Sequence, residues 1–209
     1  HAGKQQNVAA DFRVKKYRLD FSMGLNLTGR AKVYVDRSEL KSYRFTLYHG
    51  YKVKQVTDQT GAALDFRREH DYVTVTRGEA AVEYLCLEYT GKSPKYYSSY
   101  AGVCLPANFA YYPIPGYREL FKDSFYGFID CSLPYDTAFD VRCSGRKQMY
   151  CNLAARGDNH FAGNARSITL LSGYYDTLKL NDTLVVYPKY ADTEIRARIK
   201  KNMGTFTKE

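Results

Sequence analysis

The residue types that carry catalysis or bind metals are few in this chain, and their spacing does not bring them together. The four histidines stand at positions 1, 49, 70 and 160. A zinc peptidase needs two histidines one helical turn apart with an acidic residue beside them, and the sequence has no HExxH run. The five cysteines form no CxxC pair and are not interleaved with histidine at zinc-ligand spacing. These patterns predict no catalytic residue, no cofactor and no metal site.

Motifs for other reactions are missing as well. The sequence has no GxSxG nucleophile elbow, no GxxxxGK[ST] phosphate loop and no GxGxxG turn. Asp136 and Asp140 are four residues apart, but in a strand region this spacing makes no acid/base pair, so both are assigned to turns. The run from Asp158 to His160 suits a hairpin or loop tip.

Tyrosine is the residue type with the clearest potential for binding. The chain has 21 Tyr and 11 Phe but no Trp. Glycines and prolines interrupt residues 90–123, which predicts a long structured loop in which no regular strand forms. Its tyrosines either bind a sugar, a peptide or a protein surface, or cover the open side of a sheet. The candidate ligand-binding or partner-binding residues are Tyr96, Tyr97, Tyr100, Tyr111, Tyr112 and Tyr117.

Basic residues form a second candidate surface. The formal net charge is +9, but the positive residues are scattered between acidic ones, so we expect solvated faces and no nucleic-acid partner. Two segments near the ends are denser in positive charge and suit an anionic membrane surface. The candidate lipid-facing residues are Arg13, Lys15, Lys16, Arg18, Arg196, Arg198, Lys200 and Lys201.

Alternation of apolar and polar residues is the dominant pattern, as in residues 17–23. Many short strands with this period predict an all-β, twisted antiparallel sandwich with a saddle-like shape. A short helix is expected only near the end, with Asp192 or Thr193 as its N-cap and Gly204 as its stop. The predicted core residues are Tyr17, Leu19, Phe21, Val33, Phe45, Val73, Leu85, Leu87, Phe139, Val141, Ile168, Leu170 and Val186.

Several segments, taken in order, resemble one family over nearly the whole chain. These are residues 17–21 (YRLDF), a hairpin through 25–35, the strand 83–89 before Thr90 and Gly91, and the stretches GVCLP (102–106) and YYP (111–113), followed by FDV (139–141), LSGY (171–174) and LVVY (184–187). Together they resemble the amino-terminal sandwich domain of the aminopeptidase N-like zinc metallopeptidases. The glutamine or glutamate that this domain lends for a substrate's amino end has no match here, so peptidase activity is not carried over.

The resemblance implies a domain that works beside other parts of a longer protein. Residues 1–10 are interpreted as added or linker residues, 11–190 as the sandwich, and 191–209 as a linker helix toward a further domain. The tyrosine-proline stretch is similar to that of bacterial relatives fused to an ABC-type permease. This implies a non-catalytic, extracytoplasmic binding or scaffold domain attached to the cell membrane, with adjoining domains, a peptide or a glycan as partners. The alternatives are a stand-alone carbohydrate-binding sandwich and the non-catalytic amino-terminal domain of an active zinc aminopeptidase.

Overall fold

Alternating side chains build strands along most of the described chain. The computed structural model describes residues 7–95, 97–98, 102–120, 131–146, 148–180, 183–189 and 193–206. The strands are β1 (Val14–Met23), β2 (Leu27–Val35), β3 (Ser42–Thr46), β4 (Tyr51–Thr57), β5 (Phe66–Glu69), β6 (Tyr72–Thr76), β7 (Tyr84–Gly91), β8 (Gly102–Leu105), β9 (Ile114–Pro115), β10 (Thr137–Ser144), β11 (Tyr150–Cys151), β12 (Ala154–Gly157), β13 (His160–Ala165), β14 (Leu170–Gly173), β15 (Tyr175–Leu180) and β16 (Thr183–Pro188). One helix follows them in these residues, α1 (Thr193–Phe206).

A seven-stranded sheet forms the larger layer, with β1 at its centre. In β1, Tyr17, Leu19 and Phe21 are buried, while Arg18 and Asp20 are exposed on the opposite face. The strand order is β12-β13-β10-β1-β2-β7-β4. Neighbours are antiparallel except β1 and β10, which run parallel. The sheet is therefore mixed. A parallel pair needs a crossover connection, which the long chain between β1 and β10 provides.

Two smaller sheets cover the inner face of the large one. They have the orders β5-β6-β3-β9 and β11-β14-β8. Aromatic rings join the layers: the ring centroid of Phe21 lies 5.7 Å from that of Tyr111, and the centroid of Tyr17 lies 5.4 Å from that of Tyr112. Buried apolar residues from all three sheets form one continuous core. The predicted all-β sandwich is confirmed.

The predicted core is confirmed at every position except Val186, which is only half-buried. Val186 lies in β16, which pairs with β15 alone among the described strands. Leu184 in the same strand is 54% exposed. The hairpin therefore stands outside the core of the sandwich.

The tyrosine-rich segment contains two strands that the sequence does not predict. β8 pairs with β14, and in β9 Pro115 lies opposite Phe45 of β3. The two-residue β9 is at the edge of the four-stranded sheet, where one side of a strand has no ladder partner and a proline fits. The prediction of a loop without regular strands is wrong at these residues.

β12 and β13 are two further strands that the sequence does not predict, and they pair with each other. Their turn is confirmed, since Asn159 has a φ of 52° between the two strands. The strands themselves contain mainly alanine, glycine and polar residues, so hydrophobic alternation does not reveal them. Near the end of the chain, the helix is confirmed as α1, which begins at Thr193, next to the predicted cap positions. The prediction of a stop at Gly204 is wrong, because α1 runs on to Phe206.

Candidate functional site

The tyrosines at the centre of the fold are structural. Tyr89, Tyr111 and Tyr112 are at most 1% exposed. The Tyr89 hydroxyl donates to the Tyr111 carbonyl oxygen at 2.9 Å, and the Tyr111 hydroxyl donates to that of Ile168 at 2.8 Å. Burial raises the pKa of Tyr89 and Tyr111 well above the usual 10.0, so both phenols stay neutral donors. The prediction of ligand-facing rings is wrong for Tyr111 and Tyr112, because both rings belong to the core.

The remaining candidate tyrosines that the structure describes are less buried than Tyr111 and Tyr112. Tyr97 is half-buried, and its ring centroid lies 4.6 Å from that of Phe109. Tyr117 is half-buried and stacks on Tyr72 at 4.3 Å, with its hydroxyl hydrogen-bonded to Thr74. These contacts hold both rings against the sandwich. Two further candidates lie outside the described residues: Tyr96 and Tyr100.

A histidine–carboxylate pair lies on the outer face of the seven-stranded sheet. His160 Nε2 is 2.9 Å from the Asp140 carboxylate, and both side chains are partly exposed. Asp140 is in β10, so its assignment to a turn is wrong. The sequence does not predict this pair. His160 lies in β13, and this strand lacks the alternation of apolar and polar residues that would identify it as a neighbour of β10.

A second pair joins two loops. The buried carboxylate of Asp71 accepts a hydrogen bond from the backbone N–H of His49 at 2.6 Å, and its Oδ1 lies 2.9 Å from His49 Nδ1. His49 and His160 thus each have one carboxylate beside them. Within the described residues no three His, Cys, Asp or Glu side chains gather as metal ligands. Zinc needs three or four such ligands, so these residues do not fit a zinc site.

The first basic segment lies at the start of β1. The Arg13 guanidinium lies 4.2 Å from the ring centroid of Tyr135. Arg18 is exposed, and in the register of the sheet it lies between Asp140 and Lys32. Its guanidinium is 5.8 Å from the ring centroid of Tyr34. Acidic and aromatic neighbours therefore share this face with the positive charges. Of the two lysines in this segment, Lys15 is exposed and Lys16 is half-buried.

The second basic segment lies on α1. On this helix the side chains of Arg198, Lys200 and Lys201 are exposed. The side chain of Arg196 is outside the part that the structure describes. In the described part of the chain, no helix combines the length and the apolar character that crossing a membrane requires.

A groove of about 930 Å³ separates the last hairpin from the edge of the large sheet. Leu184 and Val186 of β16 line one wall, while Met149, Leu153 and Phe161 are among the residues of the other. The groove is open, and Leu184 remains 54% exposed. The sequence predicts β16 but not this surface, because its two walls are distant in the chain.

Comparisons with known proteins show where this architecture recurs. No protein-family model matches the sequence, and no curated protein matches it either. The M1 zinc metallopeptidase of Deinococcus radiodurans has a similar structure, with a TM-score of 0.56, 13% sequence identity and coverage of 88% of this chain and 50% of the enzyme.

Two structures of yeast leukotriene A4 hydrolase are also similar. One, from Saccharomyces cerevisiae, has a TM-score of 0.58 and 10% identity, and covers 90% of this chain and 34% of the enzyme. The other has a TM-score of 0.63 and 9% identity, and covers 98% of this chain and 36% of the enzyme. At these identities the likeness shows the fold alone. The fold is thus that of a part of M1 zinc peptidases and leukotriene A4 hydrolase, and the chain spans half or less of their length.

Proposed function

We propose that this chain is a non-catalytic scaffold domain of a longer protein and that it docks an adjoining domain of that protein through β15, β16 and α1. The observation that carries the proposal is the hairpin, since β15 and β16 pair only with each other among the described strands and expose Leu184. A two-stranded hairpin is marginally stable in water and needs a further layer on its apolar side chains. An adjoining domain would supply that layer.

The lengths of the similar enzymes support the same arrangement. This chain corresponds to about half of the Deinococcus radiodurans enzyme and about a third of the yeast enzyme. A domain of a longer protein would match only a part of each enzyme in this way. The substrates and inhibitors of those enzymes remain properties of those enzymes.

The proposal extends to a parent protein attached to the outer side of a cell membrane. Its support is the resemblance of the YYP stretch to permease-fused relatives, together with the basic segments in β1 and α1. A stand-alone carbohydrate-binding module has less support, because two of the tyrosines that motivate it, Tyr111 and Tyr112, are buried.

The purified chain is expected to hydrolyse no aminoacyl-p-nitroanilide, with or without added zinc. The reason is the ligand set: His49 and His160 each pair with a single carboxylate, and no described group of three ligands could hold the metal. Release of p-nitroaniline is followed by absorbance, with a known aminopeptidase as the positive control. Turnover that zinc restores after chelation would contradict the non-catalytic role.

A further inference from the structure

A groove of about 650 Å³ lies beside the turn between β1 and β2. Leu25 at this turn is 73% exposed, more than any other large apolar side chain in the described residues. Lys92, Lys95 and Arg146 also line the groove, and no acidic side chain is among its described lining residues. The groove therefore combines an exposed apolar tip with three cations.

The three segments that form this groove are fixed to the sandwich. After β7, the Ser93 hydroxyl lies 2.6 Å from that of the buried Tyr51, which anchors the segment carrying the two lysines. Gly145 has a φ of 81° and packs so closely on Met23 that an added Cβ would lie 2.7 Å from the Met23 carbonyl oxygen. This close approach brings Arg146 to the β1–β2 turn.

We propose that this surface docks onto an anionic phospholipid bilayer, with Leu25 entering the interface and Lys92, Lys95 and Arg146 contacting phosphate and carboxylate headgroups. An apolar side chain surrounded by cations suits the boundary between acyl chains and anionic headgroups. Lysine stems can lie along the apolar boundary while their ammonium groups remain among the headgroups. A free phosphate ion would use the cations but would gain nothing from Leu25. The inference rests on the proposed membrane attachment and adds a further surface to the two basic segments.

Vesicle sedimentation with the whole chain tests this docking. We compare phosphatidylcholine vesicles with vesicles in which about a third of the lipid is phosphatidylserine. Binding is expected only to the anionic vesicles and should weaken as salt screens the charges. K92Q combined with K95Q should weaken the partition coefficient about 30-fold, since each basic residue near such a surface contributes about a fivefold effect. Leu25→Ser should weaken it about tenfold through lost apolar burial.

The matched control neutralises two exposed lysines that lie outside both basic segments, K41Q combined with K54Q. It removes the same charge and should change the partition coefficient less than about threefold, because these residues do not line the groove. Far-UV circular dichroism should show every variant folded, since the changed residues are surface ones.

Three outcomes would overturn the bilayer proposal. They are absence of binding to anionic vesicles, an equal loss in the control variant, and saturable binding of inorganic phosphate with vesicle binding unaffected by Leu25→Ser. Calorimetric titration with inorganic phosphate provides the last measurement. All these experiments use the chain alone, so their failure leaves the docking of the hairpin to an adjoining domain untouched.

Discussion

Replacing Tyr111 with alanine should lower the free energy of unfolding by about 3 to 5 kcal/mol, the range for removing a large buried aromatic ring. The Tyr111 side chain has no exposed surface, and its ring centroid lies 5.7 Å from that of Phe21 and 5.1 Å from that of Tyr112. Its removal also leaves the buried Ile168 carbonyl without this hydrogen-bond donor. Urea unfolding followed by circular dichroism measures the change.

Two variants separate the role of the ring from nonspecific effects of losing a tyrosine. Tyr111→Phe keeps the ring and removes the bond to Ile168, so it should cost about 1 to 2 kcal/mol. Tyr174 is 68% exposed, and Tyr174→Ala should change stability by no more than about 0.5 kcal/mol. A stable, fully folded Tyr111→Ala protein would mean that the ring is not part of the core and would return it to the candidates for ligand binding.

Gly91→Ala should destabilise the sandwich by about 3 kcal/mol, at the upper end of the usual cost of overpacking. Gly91 ends β7 between Leu27 of β2 and Tyr51 of β4. A Cβ at this position would overlap the carbonyl oxygen of Gly50 and lie 2.9 Å from the Cα of Tyr51. Both obstacles are backbone atoms, so β4 would have to move away from β7. Thermal and urea unfolding measure the loss.

Gly157→Ala is the matched control for this substitution. Gly157 is also in the seven-stranded sheet, but a Cβ there would meet no heavy atom within 4 Å. Its stability should stay within about 0.5 kcal/mol of the parent chain. If both variants lose stability equally, the close approach of β4 to Gly91 does not describe the folded protein.

Much of the fold could be predicted from the sequence because one side of the sheet is buried and the other is not. In β1 this difference makes every second residue from Tyr17 to Met23 apolar, so the strand and its buried face are both predictable. β12 and β9 lack that pattern: β12 is exposed along its whole length, and β9 is two residues long and ends in a proline. The parallel pairing of β1 with β10 depends on the path of the whole chain, which no local pattern specifies.

The candidate sites were harder to predict, because residue type does not say which neighbours will cover a side chain. Tyr111 and Tyr112 have the rings and hydroxyls of a binding surface, yet both are buried, with their rings against aromatic rings of β1. The groove at Leu25 is formed by residues near positions 24, 92 and 146, and no spacing rule connects such distant segments. Only the tertiary structure brings them together.

Hydrogen exchange of the β15 and β16 amides, in this chain alone and in the longer parent protein, tests the central claim most directly. In the chain alone, these amides should exchange far faster than those of β1, because a hairpin without a covering layer opens readily. In the parent protein they should gain protection approaching that of β1. Protection equal to that of β1 in the chain alone, or rapid exchange in both proteins, would contradict docking through this hairpin.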